Sequence, residues 1–158
     1  MVAAPAADML RSTWFAATLS VHVLERLTQL GTTAEYETGT AVIREGEPCE
    51  ALGVLVDGRM SIRLRLPGGE ARSILTIEPG DVFGWSAILA PSIATSTVTA
   101  VTRTRTVVFE GARLLDAMTA DQELAAAVHR RVLVAVARRL QATRVQLLDL
   151  YASSYDPW

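Results

Sequence analysis

The chain has 158 residues, half of them hydrophobic and a fifth charged, with a net charge of -2; this suits one soluble domain with one sizeable core and gives no global pull toward nucleic acid or an anionic membrane. All 15 basic residues are Arg and none is Lys, which excludes a Walker A phosphate loop, a Schiff base and any other lysine chemistry. The single cysteine, Cys49, excludes an internal disulfide and fits a reducing cytoplasm.

The opening MVAAPAADMLR has neither the basic region nor the long apolar core of a signal peptide. The longest strongly apolar run, Val132–Ala137, is far too short to span a bilayer. The expectation is a cytoplasmic protein with no membrane partner. Residues 7–31 read as helical. Ser20 is placed to cap a helix in which Val23, Leu24, Leu27 and Leu30 recur at helical spacing, and Gly31 is placed to end it.

Residues 32–110 read as short strands cut by turns. In SIRLRL, Ile62, Leu64 and Leu66 alternate with Ser61, Arg63 and Arg65, which predicts a strand with one apolar face. Asp57-Gly58, Pro67-Gly68-Gly69 and Pro79-Gly80-Asp81 are turn signals, because glycine tolerates positive φ. STVTAVTRTRTVVF is rich in β-branched residues and predicts the last strands. Many short strands at this spacing predict a small barrel or roll.

Residues 111–151 read as helical again: a short helix over EGARLLDAMTA, then a long one of about 30 residues. The long helix carries two apolar stripes. The stronger holds Val132, Val136, Leu140, Leu147 and Leu150; the weaker holds Ala127, Val134, Val145 and Leu148. One stripe suffices to cover the roll, and the other needs a second partner, most simply a second copy of the same helix. The expected dimer interface is Val134, Ala137, Gln141, Val145 and Leu148. A tail, 152–158, follows; the whole chain, 1–158, is expected to form a single domain.

A search for catalytic or metal-binding groups finds little. His22, His129 and Cys49 are far apart in sequence, and no HExxH, GxSxG, CxxC or GxGxxG occurs. The histidines read as surface or packing residues and Cys49 as an inert thiol in a turn. Ser86 and Ser92 lack an evident base. No catalytic residue and no metal ligand is expected. Arg130, Arg131, Arg138, Arg139 and Arg144 read as a solvated face opposite the stronger stripe of the long helix, with a site for an anion or an acidic partner as the alternative.

The loop Pro79–Ala100 has the shape of an anion cradle: a tight turn, one short helical turn and a polar loop back into a strand. It has no Arg, no Lys and, after Asp81, no acid. Together with Gly39, Glu45-Gly46, Asp57-Gly58, Pro79-Gly80-Asp81, Phe83-Gly84 and the helix stretch ARRLQATR, it resembles the cyclic nucleotide-binding domain, in particular the sensor domain of bacterial catabolite activators. The resemblance covers roughly Phe15–Leu150. It implies an α+β fold: an eight-stranded antiparallel β-roll, jelly-roll-like, with N-terminal helices and a long C-terminal helix.

The resemblance also implies a cassette after Phe83-Gly84 built from Trp85, Ser86, Ala87, Ala94, Thr95 and Ser96, with Thr143 on the long helix at the base contact and Arg144 beside it. In that family a glutamate binds the ribose and an arginine pairs with the cyclic phosphate. Here those positions fall on Trp85 and near Ala94, with the neighbouring hydroxyl near Thr95. Losing one partner of a charge-assisted, partly desolvated pair costs about 2–5 kcal/mol. The scaffold therefore matches while both charged contacts are missing, which argues against cAMP and cGMP as ligands; no cofactor is expected. A further expectation is that the family's hinge and helix-turn-helix do not follow the long helix, so that DNA is not read that way. The sequence thus predicts a non-enzymatic regulatory or accessory module that forms homodimers through its C-terminal helix and docks on a protein partner, in part through Tyr151, Tyr155 and Trp158. A second-messenger receptor with non-standard ligand contacts is the alternative.

Overall fold

Residues 6–154 are described by the computed structural model of the chain. Its elements are α1 (Ala6–Arg11), α2 (Val21–Leu30), β1 (Thr32–Tyr36), β2 (Ala41–Ile43), β3 (Ala51–Asp57), β4 (Met60–Arg65), β5 (Ala71–Ile77), β6 (Val82–Phe83), a single 3-10 turn at Trp85–Ile88, β7 (Thr97–Ala100), β8 (Thr104–Glu110), α3 (Gly111–Ala120) and α4 (Gln122–Ser154). The signals read from the sequence act where expected. The Ser20 hydroxyl accepts from the Val23 amide at 3.2 Å, and the Gly31 amide closes α2 on the Leu27 carbonyl at 2.8 Å.

The eight strands form two antiparallel sheets, ordered β1-β8-β3-β6 and β2-β7-β4-β5. The β-branched run from Thr97 to Phe109 supplies β7 and β8, which are central strands of the two sheets. Between the sheets lies an apolar cluster of Leu55, Met60, Ile62, Ile77, Phe83 and Val98. A second, larger cluster joins the outer face of the β8–β3 sheet to the helices, through Leu52, Val54, Val107 and Phe109 on the sheet and Leu10, Phe15, Leu27, Leu114 and Leu124 on the helical side. One detail departs from the strict alternation read in β4. Ser61 is buried, and the ladder to β5 shifts register between Ile62 and Arg63. The irregularity breaks the period of two along the strand.

The long helix is 33 residues, and it chooses a different face from the one its composition suggests. Leu124, Val128, Val132 and Ala135 are buried in the core. Of the stronger predicted stripe, only Val132 is; Val136, Leu140, Leu147 and Leu150 are exposed, as are Val145 and Leu148 of the weaker one. The row 124-128-132-135 follows the helical repeat along one line. Farther on, α4 contacts β5 and β6. There the Gln146 side-chain amide donates to the Ile74 carbonyl at 2.7 Å.

Candidate functional site

The cradle begins at Gly84, which adopts a left-handed conformation with φ of 71°. A Cβ there would lie 2.3 Å from the Ala51 carbonyl oxygen, so only glycine fits the turn. The chain then winds through the 3-10 turn Trp85–Ile88 and returns along a loop tied to a neighbouring turn. The Ala94 amide donates to the Glu47 carbonyl at 2.9 Å, its carbonyl accepts from the Gly46 amide at 2.8 Å, and the Cys49 amide donates to the Ser92 carbonyl at 2.8 Å. These bonds hold Ala94, which is buried, and pair both of its backbone groups.

Of the residues named from the sequence, Gly84, Trp85, Ser86, Ala94, Thr95 and Ser96 line one small cavity. Three other expected residues lie elsewhere. Phe83 is a core residue whose ring packs over Gly53, so close that a Cβ on Gly53 would sit 2.1 Å from the ring. Ala87 faces Cys49 and Ala94 in a small apolar cluster. Thr143 stands on the wall of an adjoining open groove of about 330 Å³, which Trp85, Thr95, Ser96 and Arg139 of the cavity also line and which runs past Ile62, Leu75 and Leu140; its hydroxyl donates to the Arg139 carbonyl at 2.8 Å.

The cavity has four further walls: Ile43, Cys49, Val98 and Arg139. Cys49 is buried; its thiol is pushed up by burial, partly offset by the Ala87 and Ala51 backbone. That is the behaviour of an inert thiol. Arg139 corrects the reading of a solvated arginine face. Its guanidinium lies 4.2 Å from the centre of the Trp85 ring and donates to the Val82 carbonyl. Burial drives its pKa down to about 10, with the Asp81 carboxylate pulling weakly the other way; it remains a cation at neutral pH. Among the described residues no carboxylate pairs with it.

Two more of the five arginines also turn to their own chain. Arg138 stacks on Trp14 at 4.2 Å, while Arg131 lies 5.9 Å from the Trp14 and Phe15 rings and donates to the Thr18 hydroxyl. The signal for Arg139 was present in the sequence: it stands four residues after Ala135 and seven after Val132, on the row that α4 buries.

The space these ten residues enclose on their own is about 20 Å³, but Trp85, Thr95, Ser96 and Arg139 also wall the adjoining groove of about 330 Å³. Among the described residues Arg139 is the one cation that lines the cavity, and no carboxylate does.

Comparison with known proteins places this architecture. Residues 33–121 match the family model described as the cyclic nucleotide-binding domain. A CRP-like cAMP-activated global transcriptional regulator from Mycobacterium tuberculosis is 30% identical over 116 residues, covering 73% of this chain and 50% of the regulator; the chain thus spans about half the length of that relative. Among solved structures, the N-terminal domain of a transcriptional regulator from Streptomyces coelicolor A3(2) is 25% identical with a TM-score of 0.66, covering 89% of this chain and 95% of that one. The regulatory domain of Toxoplasma gondii PKA, solved with cAMP, is 26% identical with a TM-score of 0.63, covering 80% and 46%. No described helix is long and apolar enough to cross a membrane. The chain belongs to the cyclic nucleotide-binding domain family.

Proposed function

We propose that this protein is a non-enzymatic regulatory or accessory module of the cyclic nucleotide-binding family whose cassette no longer takes the nucleotide. One observation carries the reading: among the described residues no carboxylate lines the cassette, and its loop brings no cation of its own. Trp85 and Ala94 stand on its walls, where the family resemblance places a ribose carboxylate and a phosphate arginine.

The module forms homodimers through α4. Leu133, Leu140 and Leu147 are exposed at every seventh residue, with Ala137, Gln141, Val145 and Leu148 exposed on the adjoining arc; Val134, half-buried, begins that arc. This spacing matches the seam of a two-stranded coil. The output is contact with a protein partner, in line with relatives that are regulators or regulatory subunits and with a net charge of -2, which favours proteins over phosphate backbones. Three of the α4 arginines are engaged within the chain, so they are not the docking surface. Tyr151 is exposed and available; Tyr155 and Trp158 lie outside the described residues.

A second reading has its own support. Arg139 brings into the cassette the guanidinium that the loop lacks, which favours a nucleotide receptor with non-standard contacts. Calorimetry with cAMP and cGMP separates the two: no heat of binding is expected up to about millimolar nucleotide, a free energy near -4 kcal/mol, and a micromolar dissociation constant for either would establish the receptor instead.

A further inference from the structure

We propose that the cradle already has an occupant, the chain's own Arg139, whose guanidinium is clasped between the Trp85 ring and the Val82 carbonyl and fastens α4 to the cassette in the way a bound ligand would. This deepens the preceding reading and rests on it. A cassette that has lost its charged contacts would be expected to leave an empty, wet hole. Here a side chain arriving from a different element stands in the wall beside Trp85 and Ala94.

Three observations support the clasp. First, Arg139 and Ala94 line the same cavity. Second, a cation taken from water needs compensation. Among the described residues no carboxylate comes within ion-pair distance of Arg139, and Asp81 acts on it only from farther away. Arg139 has instead an indole face at 4.2 Å, which is the best aromatic acceptor for a guanidinium, and one backbone carbonyl. Trp85 thereby has a role that bulk alone does not explain.

Third, the contact belongs to a series. Arg138, one residue earlier, stacks on Trp14 at 4.2 Å. Trp14 in turn lies against Gly80, where a Cβ would come within 2.1 Å of the indole. Two turns farther along α4, Gln146 donates to the Ile74 carbonyl at 2.7 Å. The middle of α4 is therefore tied by polar and aromatic contacts to the N-terminal segment, the cassette and β5 in succession.

The consequence is a domain whose helix is held in place with no small molecule. Cassette occupancy and helix position are one event, decided within the chain, and anything that withdraws Arg139 from Trp85 loosens both.

Amide hydrogen exchange on the whole chain tests this. In Arg139→Ala, amides of residues 82–88 and 136–146 should exchange roughly tenfold faster than in the wild type, while those of β3 and β8 are unchanged. Ethylguanidinium at tens of millimolar, a typical weak-fragment concentration, should restore the protection, and ethylammonium should not. Arg139→Lys, which keeps the charge and the stem but not the planar group, should also exchange faster; it carries the test if the alanine variant does not fold. Unchanged protection in the folded variant, or restoration by both cations alike, overturns the clasp. Nucleotide binding by the wild type would instead defeat the preceding reading, through a separate measurement.

Discussion

The two halves of α4 are built from similar residues and meet opposite fates. In the first half Leu124 is 0% exposed and Val128 1%; in the second Leu140 is 51% exposed, Leu147 52% and Leu148 67%. The first half lies in the main core beside Phe15, Leu27 and Leu114, and the second half meets the roll mainly along the groove beside Leu75 and through Gln146. Composition does not separate the halves; what each is laid against does. The change occurs at Arg138 and Arg139, where the helix stops using aliphatic packing and holds on by stacking two guanidinium groups on Trp14 and Trp85. Leu140, Leu147 and Leu148 beyond that point are exposed, and on the reading proposed above a second copy of the helix covers them.

Truncating each half in turn should give the largest contrast. Leu124→Ala removes a fully buried side chain from the core, and should cost about 2–5 kcal/mol in urea unfolding. Leu147→Ala removes the same atoms from an exposed position, and measured at concentrations where the chain is monomeric it should stay within about 0.5 kcal/mol of the wild type. Equal losses would mean that the distal half is packed within the single chain after all.

That contrast also explains what the sequence could and could not reveal. The turn glycines, the Ser20 cap, the β-branched strands and the length of α4 are local signals, and each acts locally in the structure. The turn that opens the cassette loop is local too, because Gly84 adopts a left-handed conformation there. The facing of α4 is not. Two apolar stripes and an arginine set on one helix are compatible with several rotations, and the choice depends on the distant surface of the β8–β3 sheet and on α2 and α3. Arg139 was misread for the same reason. Counted with its charge it belongs to a solvated face; counted by its spacing from Val132 and Ala135 it belongs to the buried row. Only the Trp85 ring decides between them, and that ring comes from a loop more than fifty residues away in sequence.

The distal half gives the next effect. Leu140→Asp with Leu147→Asp places charges on the exposed seam without touching the core, and should convert a dimer into a monomer in size exclusion with light scattering, while the far-ultraviolet circular dichroism of the roll is retained. Val134→Asp, at the half-buried start of the adjoining arc, should act in the same direction but less selectively, because it also lies near the body. A wild type that runs as a monomer at tens of micromolar, on the order of a moderate dimer's dissociation constant, would break the comparison by leaving the exposed leucines without their partner.

The smallest effect concerns the start of the proximal half, where α4 is fixed by polar contacts as well as by its core. Asp121 accepts from the Leu124 amide at 3.0 Å, lies 2.7 Å from His22 Nε2 and 3.8 Å from Arg26 Nε, while the next acid, Glu123, accepts from the Ser20 hydroxyl at 2.5 Å. The Leu124 amide first, and His22 second, hold the Asp121 carboxyl below its ordinary value. A carboxyl lowered on folding lends stability above the unfolded value, and that stability is lost as pH falls through the lowered one. In a series of thermal midpoints from neutral to acid, the wild type should therefore lose an increment below about pH 4 that Asp121→Asn does not show. The asparagine keeps a side-chain oxygen for the Leu124 amide but has no proton to gain. Since the cap serves only the first turn of α4, the same acid step should leave the light-scattering mass of the dimer unchanged. If the dimer instead dissociates in step with the loss of the Asp121 increment, the two halves of the helix respond as one cooperative unit, and the boundary at Arg138 and Arg139 is not a mechanical division.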